Sequence, residues 1–304
     1  MNIATKISYS SPSPSVVALG CFDGVHLGHV SVISRAVEIA RELKIPCIVF
    51  TFDEPPKNLF SAEPVPLITS ETKKAELIAS LGVDTLVTFP FTKEIAALTP
   101  SEFAEQILIK NLNAAHIVCG FNYTFGARAQ GNTEFLADFC KERDIGLTAM
   151  PKLEICNECV SSSLIREHIA RGEVENASNL LGRAYSLCAK VISDKGLARN
   201  LGFPTANQVF DEKTLMPKNA VYATRALIGG EWLPAITNVG MRPTVNGGVR
   251  CAETHIIGFS GDLYGKELDI EFVAFIRDEQ KFESIEALTT RVLRDIETVK
   301  EMNI

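Results

Sequence analysis

The chain has 304 residues, a length that suggests two domains, each long enough to bury its own core. Hydrophobic residues make up 46% and charged residues 22%, ordinary values for a globular protein. A net charge of −7 argues against a general nucleic-acid or anionic-membrane surface, which needs a basic excess, while a polyanion such as ATP is still bindable where cations concentrate locally or a metal accompanies it.

The first fifteen residues lack the apolar run of a signal peptide, and no stretch approaches the roughly 18 apolar residues of a membrane span. Eight cysteines are scattered singly apart from Cys156 and Cys159, usage that fits a reducing cytosol better than a disulfide framework. The expectation is a cytoplasmic protein.

In chain order, Val16 to Leu19 reads as a strand, followed by a helix carrying Ile33, Val37, Ala40 and Leu43 at helical spacing. Cys47 to Phe52 predicts a second strand, Ser70 to Leu81 a helix, and Thr85 to Phe89 a third strand. Thr99 with Glu102 is a capping-box pattern, and Pro100 sits at the first helical position. His116 to Cys119 predicts a strand, Thr133 to Glu142 a helix, and Leu147 to Met150 the last strand of the series. Such alternation implies a doubly wound, mostly parallel, Rossmann-like sheet, in which ligands bind at the carboxyl ends of strands.

After Pro151 the pattern changes. Two short helices follow Ser163, each stopped by a glycine, Gly172 and Gly182. Beyond Arg183 the chain is strand-rich, with Leu268, Ile270, Phe272 and Ala274 alternating and Gly229-Gly230 marking a hairpin turn. A last helix covers Ile285 to Met302. The second domain therefore reads as a small antiparallel sheet or barrel with a C-terminal helix, and the boundary is expected at residue 183, giving domains 1–183 and 184–304.

The first strand runs out into Gly20-Cys21-Phe22-Asp23-Gly24-Val25-His26-Leu27-Gly28-His29, and a helix opens at its end. Gly24 and Gly28 let backbone approach phosphate oxygens, and the helix N-terminus favours an anion. His26 and His29 can aim two imidazole donors at one phosphate. Attack of a phosphate on the α-phosphorus of ATP needs no protein nucleophile, only alignment and charge stabilisation. An isolated histidine on a turn is most often a surface residue; His-x-Gly-His at the end of a first strand is far more specific. Ser161-Ser162-Ser163-Leu164-Ile165-Arg166 is an ordinary N-cap cluster taken alone, but with Arg166 in the first turn it is also an anion site suited to a leaving pyrophosphate.

These two elements resemble the HxGH and ISSTxxR signatures of the nucleotidylyltransferases, with Ser163 where the family usually has threonine. The wider string ALGCFDGVHLGH resembles the start of the prokaryotic riboflavin kinase/FAD synthetase family, which implies nucleotide contacts for Gly20, Phe22, Asp23, Gly24 and Gly28 beside Ser161, Ser162 and Ser163. Gly120 to Gly126 resembles the family's flavin loop, with Asn122 at a usual aspartate and a later arginine displaced to Arg128. Tyr123 or Phe125 then packs on the isoalloxazine ring, or serves the core. Phe52-Asp53-Glu54-Pro55-Pro56 lacks the histidine the family often has there, so no role for it transfers.

Further on, Gly202-Phe203-Pro204-Thr205-Ala206-Asn207 resembles the family's GFPTAN motif. Gly202, Pro204 and Thr205 are implied at the nucleotide, and the oxygens of Thr205 and Asn207 suit Mg²⁺ arriving with ATP. Asn238 to Thr244 and Gly261 to Gly265 resemble two further motifs of the kinase half. Glu253 stands at the family's catalytic base, to accept the ribityl proton as the hydroxyl attacks the γ-phosphorus. Arg242, Arg277 and Phe282 are implied near the flavin. Three family loop glycines are replaced by Ala189, Asp194 and Ala198, with Gly196 nearby, which puts ATP affinity of this half in question. The resemblance spans Leu19 to Lys300. It implies catalytic His26, His29, Arg166 and Glu253, ATP, riboflavin and FMN as substrates, and neither nucleic acid nor membrane as partner. The alternatives are a monofunctional adenylyltransferase with an impaired kinase half, another nucleotidylyltransferase, and a non-catalytic flavin-binding regulator. Cys156-x-x-Cys159 supplies two of zinc's four ligands, with no second pair, and reads as reduced thiols.

Overall fold

The computed structural model describes residues 1–193, 202–244, 247–302 and 304, and divides into two compact units, Met1–Ser162 and Ser163–Ile304. The aligned positions Asp194, Gly196 and Ala198 lie outside the described residues.

The first unit is a six-stranded sheet of β1 (Asn2–Ala4), β2 (Ser15–Leu19), β3 (Cys47–Phe52), β4 (Thr85–Phe89), β5 (Ala114–Gly120) and β6 (Gly146–Met150), in the order β1-β4-β3-β2-β5-β6. Every pairing is parallel. All five residues of β2 are buried because both faces are covered: Val16 and Ala18 join one core cluster, Val17 and Leu19 the other. The first face meets α1 (Leu27–Leu43), which turns Val32, Ile33, Ala36, Val37 and Ala40 inward at helical spacing and ends on Lys44 in the left-handed region. α2 (Glu71–Ser80) is capped by Ser70.

α3 (Lys93–Ala97) leads to α4 (Pro100–Phe103), where both capping-box bonds form between Thr99 and Glu102. The helix then widens to i→i+5 turns over Ala104–Asn111, which 3.6-residue periodicity does not anticipate. α5 (Thr133–Lys141) completes that layer. The strand order reverses between β2 and β5, so the crevice beyond their carboxyl ends is the topological switch point. After β6, β7 (Glu154–Ile155) and β8 (Glu158–Cys159) form a short hairpin.

The second unit holds α6 (Ser162–Arg171) from Ser163 onward, α7 (Val174–Leu181), and a closed antiparallel barrel of β9 (Tyr185–Ile192), β10 (Ala206–Val209), β11 (Ala220–Ile228), β12 (Glu231–Thr244), β13 (Gly247–Ile256) and β14 (Glu267–Asp278), ordered β10-β13-β12-β11-β14-β9. α8 (Ile285–Glu301) lies on the barrel's outside, where Ile296 and Val299 pack on Val221, Ala223 and Ile236. The alternate residues point inward: Tyr222 and Phe272 meet edge to face at 5.3 Å, and Thr224, Thr237 and Thr254 form a buried hydroxyl chain at 2.7 and 2.9 Å. Gly229 and Gly230 make the tight β11–β12 turn with φ of 61° and 92°.

α7 and the end of α6 pack with the barrel. α7 lies against β14 and β9, Glu175 accepts from the N–H of Phe275 at 3.1 Å, and the N–H of Lys218 donates to the Ile169 carbonyl at 3.2 Å. Gly172, at φ 83°, leaves room for the Tyr222 hydroxyl, which would stand 2.9 Å from an added Cβ. Ala189, aligned with a loop glycine, is a strand residue instead: it pairs with Leu268, and its carbonyl accepts from the buried Gln208 amide at 2.8 Å.

Candidate active sites

At the switch point His26 is the N-cap of α1. Its Nδ1 accepts the backbone N–H of His29 at 3.1 Å, so in the neutral ring the proton sits on Nε2. The two imidazoles stack with centroids 3.5 Å apart and planes 15° from parallel, and Phe22 meets His29 edge-on at 5.2 Å. Gly28 permits the stack, because an added Cβ would stand 3.2 Å from the His26 ring. Gly20 likewise accommodates the Phe22 ring, at 2.8 Å from such a carbon.

The loop is held under tension. Phe22, Gly24 and Val25 have φ of 49°, 84° and 38°, a run that persists only where surroundings impose it. Asp23 does much of the imposing. Its buried carboxylate accepts the N–H groups of Ile68 and Thr69 at 3.1 to 3.3 Å, while Gly24 N–H donates to the Thr69 hydroxyl at 3.2 Å. The Ser162 hydroxyl donates to the Asp23 carbonyl at 2.9 Å, which joins the serine motif to the histidine motif. Ser161 precedes α6, Ser162 opens it, Ser163 is exposed, and Arg166 lies one turn along the same helix.

Across the crevice, the loop after β5 exposes Asn122 and holds Tyr123 half-buried. Burial raises the Tyr123 phenol well above its ordinary range, with the Cys21 and Cys119 thiols adding to the shift. Phe125 is turned into the core, 6% exposed between Phe103 and Phe135, and only stacks on Tyr123 at 5.7 Å. Its packing leaves no ring face for a ligand in this conformation.

The barrel carries the second site. Asn207 stands opposite Glu253, Glu253 opposite Asn238, Asn238 opposite Val221, and Val221 opposite Arg277. Residues directly opposite across a ladder share a face, so five strands contribute one continuous rung, on the outer face under α8. The rung lines a cavity of about 830 Å³, together with Pro204, Thr205, Phe282, Leu288 and Val292. Asn207 donates its amide N–H groups to the carbonyl and hydroxyl oxygens of Thr205 at 3.3 and 3.4 Å, which leaves its own oxygen free of that contact. Arg277 donates to Asp295 through Nε and Nη2, both at 2.8 Å, Arg291 takes the other Asp295 oxygen at 3.0 Å, and Phe282 lies 5.8 Å from the Arg277 guanidinium. Gly202, at φ 90°, and Arg242, farther along β12, do not line the cavity. Val221, Leu288, Val292 and Asn238 are lining residues that motif reading did not single out; for Asn238 its position as the first residue of the Asn238–Thr244 motif was the available signal.

The FAD synthetase family model matches residues 8–164 and the riboflavin kinase model residues 181–303. The bifunctional riboflavin kinase/FMN adenylyltransferase of Bacillus subtilis is 36% identical over 286 residues, covering 92% of this chain and 90% of its own. The chain belongs to the bifunctional riboflavin kinase/FMN adenylyltransferase family. The family's Pseudomonas fluorescens member is 33% identical over 288 residues, covering 94% and 92%. A crystal structure described as a macrolide-efflux protein from Streptococcus pneumoniae has the same fold, with a TM-score of 0.89, 31% identity and 98% of each chain covered. Among the described residues of this chain no helix is long and apolar enough to cross a membrane.

Proposed function

We propose that this chain phosphorylates riboflavin with ATP to give FMN, and adenylylates FMN with a second ATP to give FAD and pyrophosphate. The observation that carries the reading is the presence, in one chain, of stacked imidazoles at a switch point and of a rung of Asn207, Glu253, Asn238 and Arg277 about Val221 in a cavity of flavin size.

In the parallel-sheet unit the FMN phosphate is already ionised and attacks the α-phosphorus directly. His26, through Nε2–H, and His29 stabilise charge on the phosphate oxygens, and the amino end of α1 adds its dipole. Ser161, Ser162, Ser163 and Arg166 hold the departing pyrophosphate. Asn122 and Tyr123 bound the flavin side, while Gly20, Phe22, Asp23, Gly24 and Gly28 shape and brace the loop.

In the barrel unit Glu253 accepts the ribityl proton. Pro204 and Thr205 border the phosphates. The oxygens of Thr205 and Asn207 are a hard-donor set that would hold Mg²⁺ arriving with ATP, and the ion would supply neutralisation of phosphate charge there. Val221, Phe282, Leu288 and Val292 offer an apolar wall for the ring, with Arg277 held beside it. Arg242 and Gly202 act from outside the cavity wall. Free thiols and the need for ATP support a cytoplasmic setting.

Chromatography of products from riboflavin and MgATP tests the whole reading. FMN followed by FAD is expected. In His29→Ala, FMN should accumulate while FAD formation falls by roughly 10²-fold or more. FAD from supplied FMN with no FMN from riboflavin would leave an adenylyltransferase alone.

A further inference from the structure

The cysteines divide by exposure. Cys47, Cys119, Cys140 and Cys251 are buried, whereas Cys21, Cys188, Cys156 and Cys159 are exposed, and only Cys156 and Cys159 lie close in sequence, on the β7–β8 hairpin. Free cysteine is ordinarily among the most buried residue types. Glu154 stands opposite Cys159 and Ile155 opposite Glu158, so Cys156 and Asn157 are the two turn residues, at φ 52° and 65°. A turn of this kind prefers asparagine or aspartate and then glycine, because both positions are left-handed. Cys156 runs against that preference and gains no packing in return, and such breaches of a local rule concentrate at functional positions.

The hairpin also leads straight into the serine motif, which meets the histidine loop. Val160 follows β8, is buried, and donates its N–H to the Leu153 carbonyl at 2.9 Å. Its carbonyl oxygen lies 3.8 Å from where a Cβ on Gly28 would stand. Two residues later Ser162 grips the Asp23 carbonyl. The position of this short ladder therefore sets how the serines meet the Gly20–Gly28 loop.

We propose that Cys156 and Cys159 form a reversible thiol-oxidation site that governs adenylyl transfer; the governing role rests on the adenylyl-transfer reading of the His26–His29 site. The oxidant is a low-molecular-weight disulfide, RSSR. One cysteine, as thiolate, attacks a sulfur of RSSR, forms a mixed disulfide and expels RS⁻, which takes up the proton the cysteine released. The second cysteine, again as thiolate, attacks the protein sulfur of the mixed disulfide, forms the Cys156–Cys159 bond and expels the second RS⁻, likewise protonated. Two cysteine thiols are oxidised by two electrons and RSSR is reduced to two RSH.

The oxidised hairpin differs from the reduced one. Cys159 faces Glu154, not Cys156, and a disulfide holds its two Cβ atoms about 3.8 Å apart. Drawing Cys159 toward the turn unpairs Ile155 from Glu158 and pulls Val160 away from Gly28. Two residues per strand offer little resistance. Zinc is a poorer occupant, since no group of three or more His, Cys, Asp or Glu side chains occurs among the described residues.

The test treats the full chain with oxidised glutathione, maps disulfides by mass spectrometry of unreduced peptides, and follows both activities. A Cys156–Cys159 linkage should form, FAD formation from FMN should fall by about tenfold or more, as misplacement near reacting atoms predicts, and the kinase rate should hold. Dithiothreitol should restore the rate, and Cys156→Ser with Cys159→Ser should abolish both bond and loss. Absence of the linkage in wild type, an unchanged FAD rate once it has formed, or a loss that persists in the double variant and so arises elsewhere, as at the exposed Cys21, each overturns the proposal. Reduced wild type that makes no FAD sinks the parent reading instead.

Discussion

His26 has two separable tasks, capping α1 and donating to phosphate, and substitution can divide them. His26→Ala removes the bond from the His29 N–H to Nδ1 and the stack on His29. A lost N-cap costs about 1 kcal/mol and a lost aromatic pair about 0.5–1.5 kcal/mol, so about 2 kcal/mol in all. For a unit of this size that lowers Tm by roughly 4–8 °C. His26→Asn restores a strong cap and recovers about 1 kcal/mol of this. Neither variant keeps the Nε2 donor, so both should lose adenylylation by about 10²–10³-fold. The assay is FAD formation from FMN and MgATP beside a thermal melt, with riboflavin phosphorylation as an internal control of folding. If His26→Asn adenylylates at near wild-type rate, the histidine is a cap and nothing more, and the two-donor mechanism fails.

Glu253→Gln should lower FMN formation by about 10²–10⁴-fold while supplied FMN is still converted to FAD; an unchanged FMN rate would show that the base is another group. Asp295→Asn leaves Arg277 and Arg291 without their buried carboxylate and should lower the barrel's unfolding free energy by about 3 kcal/mol in a denaturant titration. A loss below about 1 kcal/mol would assign the docking of α8 to Ile296 and Val299 alone. A fragment of residues 163–304 should melt cooperatively and well above one of residues 184–304, because Val174, Leu180 and Leu181 are buried and each large apolar side chain contributes about 1.5–3 kcal/mol. Equal melting temperatures would return the working boundary to residue 183.

The parallel sheet was readable because its strands are short apolar runs separated by capped amphipathic helices, and the Thr99–Glu102 box formed as the pattern implied. β1 was not readable: three mostly exposed residues at a sheet edge carry no periodicity. The histidine motif announced its place at a strand end, but not that His26 would cap the helix beneath His29. The task of the Asp23 carboxylate was hidden because its partners, Ile68 and Thr69, lie far along the chain. Phe125 illustrates the limit of reading aromatics: core and ligand-facing rings share one composition, and only packing separates them. In the barrel, motif spacing gathered Asn207, Glu253 and Arg277, and strand register shows that Asn238 and Val221 join them in one row.

Barrel closure has a consequence for the order in which the two sites come into being on the ribosome. β9, the first strand of the barrel to be made, pairs with β14, the last. Arg277 reaches the rung only with that final strand, and until it emerges both β9 and β11 keep a bare edge able to pair with other chains. The six strands of the parallel sheet are all translated earlier, and nascent domains fold from the N-terminus. A ribosome-bound chain therefore assembles its histidine site while its barrel is still an open ribbon, and slow translation between β11 and β14 lengthens the interval in which that ribbon aggregates.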